Sequence, residues 1–524
     1  MTINRRDALK YLSLIVGQAY LLPAKSVFAQ ADDGYYFLNF QFPGAPNAYM
    51  YHSFLNPHNS ADFVPNGFVG TAFVKDGDNR YTNVRHDLIQ VGGLHLPPLW
   101  GFDLPAPGSA TRSAASILQH MINILGVEMP ADGHPFCQAQ HFLPLGSKRS
   151  ITALTPDQYP GAPFATLDYA SEYHEFRTTT SAVPVDVPGK TNPVKELMSP
   201  FAAPAYSTQL TQYSTQTQSF ESAMQSFVEA NFPESALLYE AEASAKALAA
   251  RQFPNYDTFW NEAYARYKDL ISRTLASTFP GINDFPVGSL STAGRTEIYR
   301  LNEVMVNMAD LRGLIVAGTN IDNMAKQFAV AEFAMQFRLT RSYTAGVGAI
   351  AGLAASAAPH DSHFTGKIPD LLINTLYWAS FHSCLMELIA KIEGFGIWPK
   401  TLIRVGGEFN RTPKGSGIGS DHGFRAANVV FYSGRNSSGP LLIGDTVNQS
   451  RFLSSRTNYP GTYGEAAPIT SLGGRPVGIG DVTSTMARLL GVPNPVSTTA
   501  SLIDISAGGE ITSLIGAHQL KRQA

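Results

Sequence analysis

Leu402, Ile403, Arg404, Val405, Gly406 and, further on, Asn428, Val429, Val430, Phe431, Tyr432, Ser433 are two short apolar runs bounded by glycines and turn formers. Each is too short for an ordinary helix and rich in β-branched or aromatic residues, the pattern of a buried strand. Residues 368–392, just upstream, read as a long amphipathic helix with Gly394 as its C-terminal cap. The small apolar run 346–355 lies before that helix. Residues 481–490 predict a short helix with Asp481 as N-cap and Gly491 at its end. Strand, helix and strand in this order predict an α/β protein with a mostly parallel sheet.

Working outward, residues 35–42 predict a first strand in which Asn39 and Gln41 alternate with aromatic and apolar residues. It ends in the turn formers Pro43, Gly44, Ala45, Pro46 and Asn47. Ile117, Met121, Ile122 and Leu125 recur at helical spacing, so a helix is expected over 110–125. The middle carries further helical stripes. They are Phe220, Met224, Phe227 and Val228; Phe259, Tyr264, Tyr267, Leu270 and Ile271; Leu301, Val304, Met305, Met308 and Leu311; and Met324, Phe328, Phe333 and Phe337. The expected organisation is a leader over 1–31, a first part of the α/β core over 32–192, a helical insertion or cap over 193–345, and a second part of the core over 346–524.

Residues 1–31 resemble a twin-arginine signal. Arg5 and Arg6 precede a modest apolar stretch, Lys25 follows it, and Ala29, Gln30 and Ala31 offer a small-residue cleavage site. The stretch is too short to span a bilayer. The expectation is export by the twin-arginine translocase to the periplasm or beyond, with no membrane anchor after cleavage. Hydrophobic residues make up 44% and charged residues 15% of the 524, which suits a large packed core. The net charge of −3 gives no reason to expect a nucleic-acid partner. The two cysteines, Cys137 and Cys384, read as buried and unpaired thiols.

Two clusters carry candidate chemistry. One is His360, Asp361, Ser362, His363, ahead of the long helix. The other is Ser420, Asp421, His422, Gly423, with Glu408, Phe409, Asn410, Arg411, Thr412, Pro413 upstream. Carboxylates and neutral imidazoles are the natural ligands of zinc, manganese or iron, and in α/β sheets ligands bind at the carboxyl edge of the strands. An arginine such as Arg411 is suited to neutralise an anionic oxygen. His52, His58, His86, His95, His134 and His141 crowd the first third, and one or two of them are candidates to join the site.

The segment from Gly407 to Pro413 followed by Ser420, Asp421 and His422 resembles the S-E-F-G-R-T-P…G-R-D-H signature of a large bacterial family. That family is usually twin-arginine-exported and carries the domain of unknown function 1501, within the alkaline phosphatase and sulfatase superfamily. Pro359 to His363 is similar to its G-W-D-T-H motif, and 476–491 to its P-V-x-x-x-D-L…L-G segment. The resemblance implies an alkaline-phosphatase-like three-layer sandwich with a mostly parallel central sheet. It implies a divalent metal (zinc, manganese, iron or calcium) on Asp361, His363, Asp421 and His422, with Glu408 and Arg411 as catalytic residues. The chain departs from the pattern at two places. The family's G-G-x-D-G turn after the first strand is here Pro43 to Asn47 and has no Asp. The Ser-His pair of its S-H-F-x-A-Q segment falls on Pro135 and Phe136, unless a gap places His134 there. Cys137 is then an alternative nucleophile.

Two functional readings follow. One is a periplasmic metal-dependent hydrolase acting on a small phosphate or sulfate ester. The other is a non-catalytic binding or assembly protein with a periplasmic protein partner. The export expectation has a direct check: a reporter fused to residues 1–31 should be secreted, and changing Arg5 and Arg6 to Lys should stop it. Unchanged secretion of the double-lysine fusion would exclude the twin-arginine route.

Overall fold

The computed structural model describes residues 34–45, 72–75, 81–85, 89–91, 94–160, 162, 164–169, 184–187, 191–198, 256–277, 300–301, 304–305, 321–346, 367–413, 420–437, 439–447 and 465–514. The expected leader and the stripe from Phe220 to Val228 lie outside these residues.

The protein is α/β, with a nine-stranded central sheet. Its strands are β1 (Tyr36–Gln41), β2 (Met121–Glu128), β3 (Phe164–Tyr169), β4 (Pro184–Asp186), β5 (Thr340–Gly346), β6 (Thr401–Gly406), β9 (Ala427–Ser433), β10 (Leu441–Gly444) and β11 (Val477–Gly478). A hairpin of β7 (Asn410–Pro413) and β8 (Ser420–Gly423) stands apart from it. The spatial order is β4-β3-β5-β1-β6-β9-β2-β10, and β11 also pairs with β2. Every strand runs in one sense except β9, which is antiparallel to both β6 and β2.

β1 lies inside the sheet, with parallel neighbours on both sides and all six residues buried. Its alternation separates two cores. Tyr36, Leu38 and Phe40 pack with α3 (Tyr256–Ala276), α4 (Ile321–Gln336) and α5 (Lys367–Gly394). Phe37 packs on the other face with residues of α2 (Ile151–Gln158) and α6 (Ile479–Leu490). Phe40 stacks on Phe328 of α4 at 4.9 Å and meets Phe381 of α5 edge-on at 5.5 Å. Truncating a ring so enclosed costs on the order of 3–5 kcal/mol. The three helices are also joined by buried charge. Arg266 of α3 pairs with Glu332 of α4 (2.5 Å) and Glu387 of α5 (3.0 Å). The Tyr267 hydroxyl donates to Glu332 at 2.7 Å.

Several expectations hold. The strands over 402–406 and 428–433, the first strand, and the stripes at Phe259–Ile271 and Met324–Phe337 fall on the corresponding elements. Cys137 and Cys384 are buried and unpaired.

Others need correction. The helix expected over 110–125 is a short strand, a 3-10 segment (Ala114–His120) and then β2. Met121 and Leu125 enter one core, while Ile122, Ile124 and Val127 enter the other. A run that is apolar on all sides carries no period, and the ladders to β9 and β10 decide its state. In the third stripe, Arg300–Leu301 pairs antiparallel with Val304–Met305, and a three-residue spacing fits that tight turn as well as a helix. The long helix runs through Gly394, and Gly396 (φ 73°) ends it. The amide of Gly396 reaches Glu393 O and that of Ile397 reaches Ile392 O, the two bonds of a Schellman turn. Asp481 is not the N-cap. It lies in the first turn of α6 and accepts the Gly478 amide at 2.9 Å, while Arg475 holds its carboxylate from outside. Gly491 does end that helix, in the left-handed conformation.

His382 of α5 donates from Nδ1 to Trp378 O (2.9 Å) and lies edge-on to Trp100 at 5.0 Å. Burial pushes this imidazole down to about 4. A depressed folded value means that its contribution is complete above the unfolded value of about 6.5 and is lost as pH falls from there towards 4. The shift corresponds to a loss on the order of 3 kcal/mol. Urea midpoints of the wild type should therefore fall between pH 6.5 and 4, and His382→Gln should show a flatter profile over that window.

Candidate functional site

The carboxyl edges of β1, β2 and β6 converge on one cluster. β6 exits through Gly406 and Gly407 into Glu408 and Phe409, which lead into the β7–β8 hairpin. β2 exits through Asp132 and Gly133 into α1 (His134–Gln140), where Pro135 sits in the first turn and needs no amide partner. β1 exits through the turn at Gly44 (φ 98°) and Ala45 (φ 52°). In the hairpin, Arg411 is opposite His422 and Thr412 opposite Asp421. Gly423 is required there, since a Cβ would lie 2.8 Å from Asn410 O.

Glu408 is completely buried. Its Oε1 contacts His134 Nδ1 and accepts the Gly44 amide at 3.1 Å. Its Oε2 is buried with no hydrogen-bond partner. The backbone oxygen of Glu408 accepts from His141 Nε2 at 3.0 Å. Burial holds His141 well below the ordinary histidine value, so it is neutral and Nε2 carries the proton. Arg404 of β6 is buried beneath, donating to Asn39 Oδ1 (3.0 Å) and Gly407 O (3.0 Å). Burial pulls its guanidinium down to about 9, against the charge of Glu408, and it stays a cation at neutral pH.

A second couple stands alongside. His422 Nδ1 contacts Asp132 Oδ1. The His134 and His422 ring centroids are 4.5 Å apart with planes at 82°, and Phe409 packs against both at 4.9 and 4.4 Å. Burial lowers His422 from the usual histidine value; the Asp132 hydrogen bond opposes this and Arg411 adds to it. Its neutral form therefore dominates near pH 7. The Asp132 side chain is 45% exposed and that of Glu408 is 0%, so the two carboxylates differ in their access to solvent.

Of the residues expected from sequence, the structure brings Glu408 and His422 together at this edge. Arg411 lies beside them, but its Nε and Nη2 donate to the carbonyls of Gly44 and Ala45, which fixes the turn after β1. Asp421 is on β8, with its side chain outside the described residues, and Asp361 and His363 lie outside them altogether. Sequence reasoning missed Asp132 and left His134 among a crowd of loop histidines. A usable signal was present: the apolar run 121–127 followed by Glu-Met-Pro-Ala-Asp-Gly-His is a strand leading into a turn. Among the described residues, no three His, Cys, Asp or Glu side chains already stand as a metal-binding group. Two donor types that suit a cation are nevertheless present, a buried carboxylate oxygen lacking a partner and neutral imidazoles.

Cys137, on α1, lacks the surroundings of an activated nucleophile. Its Sγ lies 2.9 Å from Ala131 O, and burial pushes the thiol up to about 12. Only the thiolate attacks. Ellman's reagent should leave Cys137 unmodified in the native protein at pH 8 and modify it after denaturation. Rapid native labelling would return it to the candidates.

No protein-family model matches the chain, and no curated protein matches it.

Proposed function

We propose that this protein is an exported, metal-dependent hydrolase of small phosphate or sulfate esters, on an alkaline-phosphatase-like three-layer frame. The reading is supported most by Glu408: a carboxylate taken wholly out of water, with one oxygen left unpartnered and the other against His134, beside the His422–Asp132 couple. A buried acceptor without a partner carries a free-energy cost that a bound cation would offset. The location at the carboxyl edge of a mostly parallel sheet agrees with it.

A divalent cation here would polarise an ester oxygen and stabilise charge developing in the reaction. Imidazole and carboxylate groups from His134, His422, Glu408 and Asp132 would hold it. The chain's own contribution is positional. Phe409 keeps water from one side of both rings. The Gly44 amide and His141 fix Glu408 at its carboxylate and at its backbone. Arg411, rather than meeting the substrate, holds the turn that aims the Gly44 amide. That engagement, together with the absence of an Asp in the turn after β1, favours a second reading, a cation-binding periplasmic protein without turnover.

The test begins with protein purified without chelator, assayed for zinc, manganese, iron and calcium, then offered aryl phosphates and aryl sulfates. The expected result is bound metal and slow turnover that His422→Ala abolishes. Bound metal without turnover on either ester class would select the second reading. Absence of metal, even after incubation with each of the four ions, would remove both.

A further inference from the structure

We infer that His134 and His422 are the nitrogen ligands of this cation, each through Nε2, and that Glu408 Oε1 and Asp132 Oδ1 orient the two rings. The inference rests on the cation reading above and assigns its atoms.

The argument is one of tautomers. Nδ1 of His134 lies against Glu408 Oε1, and Nδ1 of His422 against Asp132 Oδ1. An ionised carboxylate only accepts, so each Nδ1 carries the hydrogen. In a neutral ring the lone pair is then on Nε2, and both Nε2 atoms are buried. A carboxylate bound to the far nitrogen is the usual outer partner of a metal-ligating histidine; it fixes the ring and raises its basicity. Here the arrangement occurs twice, on rings 4.5 Å apart that share Phe409 as a wall. The two rings come from separate parts of the chain, the β2–α1 junction and β8, so no local sequence preference accounts for the pair.

The assignment selects among metals. Two imidazole nitrogens suit zinc, cobalt or ferrous iron and suit calcium poorly. Two imidazole nitrogens with the free Glu408 Oε2 beside them leave coordination positions for water and a substrate oxygen, so binding should be weaker than at a closed four-ligand site. The carboxylates should also differ in effect. Glu408 is fixed by the Gly44 amide and by His141 at its backbone, whereas Asp132 is half exposed. Losing the rigid orienting group should therefore weaken binding more than losing the exposed one.

The experiment uses the full chain stripped of metal and titrated with zinc, cobalt and calcium. The expected wild-type result is one zinc or cobalt and no competition from calcium. His134→Ala and His422→Ala should each lose at least about 100-fold in affinity, while Glu408→Gln and Asp132→Asn lose roughly 10–100-fold, Glu408→Gln the more. Because variants of buried residues can fail to fold, 15N spectra of the wild type provide a second readout. Zinc should shift Nε2 of two of the 13 histidines, with their Nδ1 hydrogens retained. If the wild type binds zinc and neither alanine variant weakens it, or Nδ1 moves instead, the ligand assignment falls and the cation reading stands. The assignment also falls if calcium is preferred or Glu408→Gln costs more than His134→Ala. A wild type that binds none of the three ions overturns both.

Discussion

The carboxylate of Glu408 is the point on which this architecture turns. An ionised carboxyl out of water is tolerated only where donors and positive charge surround it. Here they come from three strands: the Gly44 amide after β1, His134 after β2, and the charge of Arg404 within β6. Pairing its Oε1 therefore fixes how the exits of β1, β2 and β6 meet. Arg411 repeats the same logic from the hairpin, meeting the carbonyls of the turn whose amide meets Glu408.

The strands are arranged to deliver this polarity to one edge. Along β1 the first residues are apolar on both faces, and Asn39 and Gln41 appear only as the strand nears its end. On β6, Leu402 is apolar and Arg404, two residues on and on the same face, is charged. Arg404 and Asn39 are neighbours in register and hydrogen-bonded to each other. The sheet is thus oily in its body and polar at its carboxyl end, and the helices on either face cover the body. Antiparallel β9 is inserted between β6 and β2, and the hairpin before it brings His422 back over the same edge as the exits of its two neighbours.

Legibility followed the strength of the local signal. Runs such as 402–406, too short to be helices, and stripes such as Met324, Phe328 and Phe333 could be assigned because length or period excluded the alternative. The run 121–127 could not. It is apolar on both faces, so its helical spacing was accidental, and misreading it hid the strand exit that carries Asp132 and His134. Gly394 and Asp481 show a smaller error of the same kind, since capping depends on the hydrogen bonds actually made and those differ by a few residues from the residue types that suggest them.

By itself the sequence determined the class of the protein, an α/β chain with a mostly parallel sheet, and it marked Glu408 and His422 as candidate groups. Period, run length and turn chemistry are local properties, and a linear chain displays them directly. Tertiary structure alone decided that Glu408 is buried against His134 and Gly44, that His422 meets Asp132, and that Arg411 donates to the carbonyls of the turn after β1. These partners are hundreds of residues apart. Only hydrogen bonding across the sheet sets which strand exits become neighbours, and no spacing along the chain encodes that distance.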